Sequence, residues 1–372
     1  MLEGLLNWRS VMMGMVVLLT ILCGLVLFLR RTEPKASLYF GLFLVLGALS
    51  MGPQVIGYAG AYEVAPWLTF LPVFYTETFI GPLLIAHAHA LMTGGHLGWR
   101  KWVFAPGVLF SLYYTYAFAG LNGGLFAHES KWAFNNAVHE PYIVPIESLV
   151  GFGLILVALI TIWRQRREYL AFLDRTESAA RDYDPIWLRN LIIAVGFGAL
   201  IYGGLELATQ LTDMSYDTAF PFQVALMGVF AWIGLDAAWR LTKSFPKSTA
   251  RRPTTDPAPI ERDGWASRLQ GAMEAERWYL EPRLSIRDVA RRLGTNESYI
   301  SRALNSDIGQ SFNAYVNSLR VEHAKNRMRD SRDPLLQIAM DSGFNSKATF
   351  NRVFRELSGQ TPSQFRKSVT SQ

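Results

Sequence analysis

Residues 335–366 read LLQIAMDSGFNSKATFNRVFRELSGQTPSQFR, and the order of apolar residues, glycines and serines in them predicts how the C-terminal third of the chain folds. Leu335, Ile338 and Ala339 have the spacing of one face of a short helix, which Gly343 ends. Ser346 is placed to cap a second helix. The inward positions of that second helix are Phe350, Val353, Phe354 and Leu357. Two short helices joined by a glycine-containing turn are the pattern of a helix-turn-helix.

A second copy of this unit lies earlier in the chain. Ser285 and Asp288 have the spacing of a capping box, Gly294 ends the helix that follows, and Asn296 is placed to cap the next one. Residues 311–329, between the two units, have continuous helical spacing, and 19 residues at about 1.5 Å each make a rod of about 28 Å. Successive major grooves on one face of B-DNA are about 34 Å apart. The pattern therefore predicts an all-helical domain that places two helices in adjacent grooves of one duplex.

Short motifs in both units resemble the C-terminal signature of the AraC/XylS family of transcription regulators. The motifs are Leu284-x-x-x-x-Val289-Ala290, Gly309-x-Ser311-Phe312-x-x-Tyr315, Ile338-Ala339-x-x-x-Gly343-Phe344 and Gly359-x-x-Pro362-x-x-Phe365-Arg366. The resemblance covers about residues 266–368 and implies a bipartite DNA-binding domain of seven helices, in which the third and sixth contact bases. By position, those contacts fall on Ser298, Ser301, Arg302, Lys347, Ala348, Asn351 and Arg352. Arg320, on the helix between the units, is expected to be a structural ion-pair partner.

Charge separates this third from the rest of the chain. Residues 265–372 contain 17 Lys and Arg against 11 Asp and Glu, whereas residues 1–264 contain 19 of each. The whole formal charge of +6 therefore belongs to the C-terminal third, as expected for a part that binds double-stranded DNA. We expect residues 265–372 to bind DNA on their own. The single cysteine, Cys23, excludes a disulfide scaffold.

Long apolar runs fill the N-terminal two thirds. A bilayer core requires about 20 apolar helical residues to cross it. Seven stretches have about this length, at 11–29, 38–56, 67–90, 102–121, 142–163, 187–207 and 219–239. We therefore expect an all-α protein in which a seven-transmembrane-helix domain (1–239) precedes a proline-rich linker (240–264) and a soluble double helix-turn-helix domain (265–372).

The distribution of Lys and Arg predicts the orientation of the runs in the membrane. The segments 30–37, 91–101 and 164–186 contain three, two and five such residues, whereas the alternate segments contain only Arg9 and Lys131. Short cytoplasmic loops are the ones rich in Lys and Arg. The asymmetry predicts a multi-pass protein of the bacterial inner membrane, with the N-terminus outside and the DNA-binding domain in the cytoplasm.

Acidic residues inside a bilayer are costly, so each one is a candidate functional residue. Glu77, Glu147 and Glu206 lie in the third, fifth and sixth runs, at the midplane or toward the outside. We expect them to line a cavity for a small extracytoplasmic ligand that is cationic or donates hydrogen bonds. The alternative is that they are protonated or bonded to neighbouring helices. His87 and His89 point about 200° apart on a helix, so they do not predict a metal site.

Three functions stay open at this point. The first is a membrane-embedded transcription regulator, with DNA, the lipid bilayer and a small ligand as partners and a second copy of the chain as a further candidate partner. The second makes the membrane part only an anchor or a protein-interaction platform. The third is a membrane hydrolase, which requires His and Asp to converge at one depth. Because the sequence contains no nucleotide-binding loop, kinase motif or Ser/His/Asp arrangement, we expect no catalytic residue, no cofactor and no metal.

Overall fold

The structure is a computed structural model that describes residues 7–61, 71, 73, 76–95, 97–121, 128–211, 216–240, 244–248 and 264–370. Every regular element within these ranges is helical, and extended chain pairs only in an isolated antiparallel bridge between Glu177 and Ser285. The chain divides into two compact units. The first unit is Met1–Arg166 with Pro185–Ala250, and the second is Arg167–Asp184 with Arg251–Gln372.

Nine α-helices among the described residues begin in the first unit. They are α1 (Trp8–Phe28), α2 (Pro34–Leu49), α3 (Gly52–Tyr58), α4 (Ile80–Thr93), α5 (Ala105–Tyr114), α6 (His128–Phe134), α7 (Val144–Thr176), α8 (Ile186–Leu211) and α9 (Tyr216–Arg240). Helices α1 and α2 lie very close together at Gly24 and Gly41. A Cβ on Gly24 would lie 2.8 Å from the carbonyl oxygen of Gly41, and a Cβ on Gly41 would lie 2.7 Å from that of Gly24. Small residues of this kind permit backbones to approach in a membrane-type helix pair.

Five of the seven predicted apolar runs form helices long and apolar enough to cross a bilayer. These stretches are Trp8–Phe28, Pro34–Tyr58, Lys131–Thr176, Ala180–Leu205 and Thr218–Ala237. Part of the third run lies outside the described residues, and its described part contributes residues 80–90 to α4. This helix has 14 residues, about 21 Å in length. The fourth run is divided among a 3₁₀-helix, α5 and a π-helical turn. Pro106, in the first turn of α5, favours the start of a new helix over the continuation of an old one. The structure therefore does not confirm seven spanning helices.

The beginning of the predicted linker packs on the first unit. The buried Glu33 carboxylate accepts a hydrogen bond of 3.0 Å from the amide of Phe245 and pairs with Lys247. Lys247 also donates to the carbonyl of Leu91 at 2.8 Å. Residues 244–248 are thus held in place, whereas 249–263 lie outside the part of the chain that the structure describes.

The second unit contains seven further α-helices within its described residues. They are α10 (Trp265–Glu276), α11 (Ile286–Arg292), α12 (Glu297–Arg302), α13 (Phe312–Asp330), α14 (Leu335–Asp341), α15 (Lys347–Ser358) and α16 (Pro362–Thr370). They form two halves, each with its own core. The first core includes Leu269, Ile286, Val289, Ile300, Phe312 and Val316. The second includes Val321, Met328, Ile338, Phe344, Phe350 and Phe354. Helix α13 contributes to both cores, so it links the halves, and the predicted all-helical domain is confirmed.

Candidate nucleic-acid interface

The first half presents a capped helix, a tight turn and a second capped helix. Ser285 and Asp288 form the predicted capping box, in which each side chain accepts a hydrogen bond of 3.2 Å from the backbone amide of the other residue. Asn296 caps α12 by accepting from the amides of Ser298 and Tyr299 at 3.0 and 3.2 Å. A cap fixes the residue at which a helix begins, and with it the side chains that point outward.

The second half repeats this arrangement. Gly343, between α14 and α15, has a φ of +85°, which glycine adopts at little steric cost. A Cβ at this position would lie 2.8 Å from the carbonyl oxygens of Tyr279 and Leu280, so a larger residue does not fit. Ser346 then caps α15 by accepting from the amide of Thr349 at 3.2 Å. Helices α12 and α15 therefore occupy equivalent places, and we refer to them as the reading helices.

All seven predicted base contacts lie on the solvent side of the reading helices. Ser298, Arg302, Lys347, Ala348 and Asn351 are exposed, and Ser301 and Arg352 are partly exposed. The opposite faces of the same helices pack in the two cores through Ile300, Phe350, Val353 and Phe354. Arginine and asparagine are the side chains that pair best with the major-groove edges of guanine and adenine. The two faces therefore have the chemistry and the access that base contacts require, and the contacts themselves stay a prediction.

Arg352 is oriented by an acid that the sequence analysis did not single out. Its Nη1 donates to both carboxylate oxygens of Glu356, at 3.0 and 2.8 Å. Glu356 lies four residues later on α15, the spacing at which helical side chains meet, so this signal was present in the sequence. A shallow depression follows the same surface. It is lined by Ala348, Asn351, Arg352, Arg355, Glu356 and Thr361.

The linking helix α13 has the predicted length. It spans the 19 residues Phe312–Asp330, and Ser311 caps it by accepting from the amide of Ala314 at 3.2 Å. Phe312 and Val316 lie in the first core, and Met328 lies in the second. One uninterrupted helix of about 28 Å therefore supports both reading helices.

Arg320 has a structural role that differs from the expected ion pair. Its side chain is 2% exposed and donates hydrogen bonds of 2.6 Å to the backbone carbonyls of Tyr279 and Glu281. A third bond, of 3.2 Å, goes to the Ser178 hydroxyl. Burial lowers the pKa of Arg320 to about 10, and the nearby Asp182 carboxylate partly opposes this, so the guanidinium stays charged at neutral pH. It holds the chain before α11 against the linking helix.

Of the three acids expected to form one cavity, the structure describes the side chains of Glu77 and Glu147, and these two have different surroundings. Glu77 lines a mainly apolar cavity in the first unit, and both of its carboxylate oxygens accept from the Tyr202 hydroxyl at 3.3 Å. Glu147 is buried elsewhere, is bonded to the Tyr114 hydroxyl, and is not among the residues that line the cavity. Glu206 lies on α8, but its side chain is outside the described part.

The two histidines of α4, His87 and His89, make separate hydrogen bonds. His87 is bonded through Nδ1 to the carbonyl of Ala36 at 2.8 Å, and His89 through Nδ1 to Arg100 at 3.2 Å. Across the described residues, no three His, Cys, Asp or Glu side chains come together in a group that could hold a metal ion.

The C-terminal part of the chain is similar to known proteins. The helix-turn-helix domain family matches residues 289–368. An uncharacterized HTH-type transcriptional regulator of Staphylococcus aureus is 34% identical over 83 residues, which are 22% of this chain and 11% of that protein. The regulatory protein SoxS of Escherichia coli is 33% identical over 88 residues, which are 24% of this chain and 82% of SoxS. A solved structure of a protein of unknown function from Listeria innocua is 26% identical and covers 28% of this chain and 96% of its own, with a TM-score of 0.26.

The matched segment contains both reading helices and the linking helix, so the similarity and the site coincide. The chain spans about a tenth of the length of the Staphylococcus aureus relative, but it covers most of SoxS. Through its C-terminal domain, the chain belongs to the AraC/XylS family of DNA-binding transcription regulators.

Proposed function

We propose that the protein is a membrane-embedded transcription regulator whose reading helices enter adjacent major grooves of one duplex. The observation that carries the proposal is the placement of two equivalently capped helices, with their polar faces outward, on the two cores that α13 joins. A rod of about 28 Å is close to the groove repeat of about 34 Å. Both halves then contact the DNA at once, and the whole net charge of +6 lies in the same third of the chain.

Loss of one reading arginine tests this proposal. In full-length protein in lipid nanodiscs, Arg302→Ala and Arg352→Ala should each weaken binding to the best duplex by about 1–3 kcal/mol and relax the preference at one base position. The duplex is selected by the wild-type protein from a randomised library, and fluorescence anisotropy measures affinity. Arg332→Ala, an exposed arginine outside both reading helices, is the matched control. Unchanged binding in the Arg302→Ala, Arg352→Ala double variant would overturn the proposed readout.

The first unit supports the membrane part of the proposal. It contains long apolar helices with large apolar side chains at the surface, among them Leu18, Leu149, Phe197 and Leu200. In water such a surface favours aggregation, whereas in lipid it needs no cover. The Lys and Arg distribution favours a cytoplasmic location for the segments 30–37 and 164–186, on the side where the DNA lies.

The Glu77 cavity is the proposed place of sensing. A carboxylate bonded to Tyr202 within an otherwise mainly apolar wall would suit an apolar ligand with a cationic or hydrogen-bond-donating group. Glu77→Gln keeps the shape and removes the charge, so it should hold expression from a promoter bound by the protein at one level across growth conditions. Glu147→Gln makes the same chemical change outside the cavity and should respond as the wild type does. A normal response from the Glu77 variant would make the bundle a plain anchor.

A further inference from the structure

The chain between two of the candidate membrane helices belongs to the DNA-binding unit. Helix α7 crosses from the first unit into the second at Arg166, and the chain returns to the first unit at Pro185. Residues 177–184, here named the bracing segment, lie between α7 and α8. We infer that the bracing segment is a built-in ligand of the DNA-binding domain, which joins its two halves and holds their reading helices in one relative placement.

In the first half, the bracing segment pairs with the chain that leads into α11. The amide of Ser178 donates to the carbonyl of Leu284 at 3.0 Å, and Glu177 and Ser285 form an isolated antiparallel bridge. Ser178 is 2% exposed, so this contact excludes water. A buried backbone hydrogen bond is costly to break unless water replaces it. The pairing therefore fixes the segment beside the capping box of α11.

On the linking helix, two polar side chains hold the segment by its backbone and its serine. Asn313 donates through Nδ2 to the carbonyls of Glu177 and Ser178, at 3.2 and 2.7 Å. Asn317 donates to Asn313 Oδ1 at 3.2 Å, and so orients the Asn313 amide toward the segment. Arg320 adds the 3.2 Å bond to the Ser178 hydroxyl. Three residues on one face of α13 therefore serve the bracing segment.

In the second half, the segment reaches the start of the second reading helix. Asp182 accepts a hydrogen bond of 2.7 Å from Nδ2 of Asn345, the residue that precedes the cap of α15. The same nitrogen is 3.2 Å from the carbonyl of Pro282, which lies in the first half. Arg181 is 3.6 Å from Glu356, but both side chains are more than half exposed, so this pair contributes little. Asp182 and Asn345 form the more specific contact.

The docked segment leaves the reading faces open. Five of the seven predicted base contacts are exposed and two are partly exposed while the segment is in place. A segment that blocked DNA would bury these side chains, so the geometry favours a brace over a cover. Fixing two binding elements in advance lowers the conformational cost of engaging both grooves. Only the effect of the bracing segment on DNA binding rests on the proposed function, because the docking of the segment on the domain requires no DNA.

The segment also offers a route from the membrane part to the DNA that bypasses the linker. A flexible linker transmits torque poorly, whereas α7 continues without a break from Val144 to Thr176, directly before the segment. A shift of α7 or α8 that pulled on Ser178 or Asp182 would release one half of the domain from the other. Regulation at this site would change the placement of the reading helices and not their surfaces.

Cysteine cross-linking tests the docking in the full-length protein. In a Cys23→Ser background, Asp182→Cys with Asn345→Cys should form a disulfide under mild oxidant. A protease site inserted after residue 255 cuts the chain, so that only a disulfide keeps the two fragments together on a non-reducing gel. Asp182→Cys with Glu322→Cys is the matched control, because Glu322 is exposed and points about 200° from Arg320 on α13. Retention in the first pair alone is expected, and no retention, or equal retention in both, overturns the docking.

DNA binding tests the brace. Asn313→Asp removes the donor that holds the segment, and Asn326→Asp makes the same change at an exposed position of α13. On the selected duplex, Asn313→Asp should bind about 3- to 10-fold more weakly than Asn326→Asp. On a duplex with one of the two subsites scrambled, the two variants should bind equally. Equal binding of the two variants to the intact duplex, or tighter binding by Asn313→Asp, overturns the bracing role of the segment. Failure of the wild type to select any duplex overturns the proposed function instead, and the cross-linking result still tests the docking.

Discussion

Glu356 places a negative charge on a surface that must approach phosphates. Its carboxylate holds Arg352 at 2.8 and 3.0 Å along α15. Glu356→Gln removes the charge and releases the arginine, so DNA affinity at low salt should rise by about 2- to 5-fold, because an exposed charge contact of this kind contributes under about 1 kcal/mol. Fluorescence anisotropy against the selected duplex measures the change. Glu322→Gln, on the linking helix, should have a smaller effect, and weaker binding by Glu356→Gln would mean that the acid positions Arg352 for its base.

Individual residues were predictable where their signal is local. Ser285, Asn296 and Ser346 cap the helices that their spacing predicted, and Gly343 occupies the turn that only glycine fits. The sequence predicts a structural role for Arg320, but its hydrogen-bond acceptors are two backbone carbonyls and the Ser178 hydroxyl. Every residue carries a backbone carbonyl, so the sequence does not indicate which carbonyls accept hydrogen bonds from a buried arginine until the fold is known.

The second reading helix depends on its cap. Ser346→Ala removes the acceptor for the amide of Thr349 and should destabilise α15 by about 1 kcal/mol. Lys347, Ala348 and Asn351 lie in its first two turns, so fraying there should also lower DNA affinity. Hydrogen exchange of the α15 amides, measured by mass spectrometry, checks the first effect. Ser368→Ala, which removes only a hydroxyl bonded within α16, should leave those amides unchanged.

The bracing segment should hold less tightly as pH rises. Burial raises the pKa of Glu177 from 4.5 to about 7, with Asp288 on α11 and Glu297 on α12 adding to the rise and Arg287 opposing it. Because the docked pKa is the higher one, docking favours the protonated acid. Its stabilising contribution is full below about pH 4.5 and is lost as pH rises to about 7.

A nitroxide on Arg181→Cys, in the Cys23→Ser background, reports this transition. Its mobility should increase between pH 4.5 and about 7. In the same protein with Glu177→Gln, mobility should stay low throughout, because the amide has no proton to lose. An identical rise in both proteins would assign the transition to another group.

Two features could not be predicted from the sequence: the place where an apolar run breaks, and the pairing of segments that are far apart in the chain. The fourth apolar run has the length of a spanning helix, yet Pro106 and the π-helical turn Thr115–Leu121 divide it. Apolarity predicts burial in lipid and does not report where a helix breaks.

The contact between Ser178 and Leu284 joins backbone groups in parts of the chain that look unrelated in sequence. No periodicity within either stretch encodes it.

The orientation of the protein in the membrane determines whether its C-terminal domain reaches DNA. Alkaline phosphatase fused after Arg175 should be inactive and a fusion after Asn136 active, because the positively charged segment 164–186 is expected to stay in the cytoplasm. Cell-based phosphatase assays with matched expression levels measure this. Activity after Arg175 would reverse the orientation and place the DNA-binding domain on the wrong side of the membrane.

The contacts of Ser178 limit how the DNA-binding domain can be exchanged for that of another regulator. In this protein, Asn313 and Arg320 of the DNA-binding domain bond Ser178. A gene fusion that exchanges only the part after the proline-rich linker would bring in a domain whose residues at these two positions meet a bracing segment from another protein. The exchange therefore has to include two parts of the chain, residues 177–184 and the part after about residue 264. Hybrids in which only the part after the linker is exchanged should fold but respond poorly to the signal. Hybrids in which residues 177–184 are exchanged as well should bind the promoters of the donor and keep the signal response of the recipient.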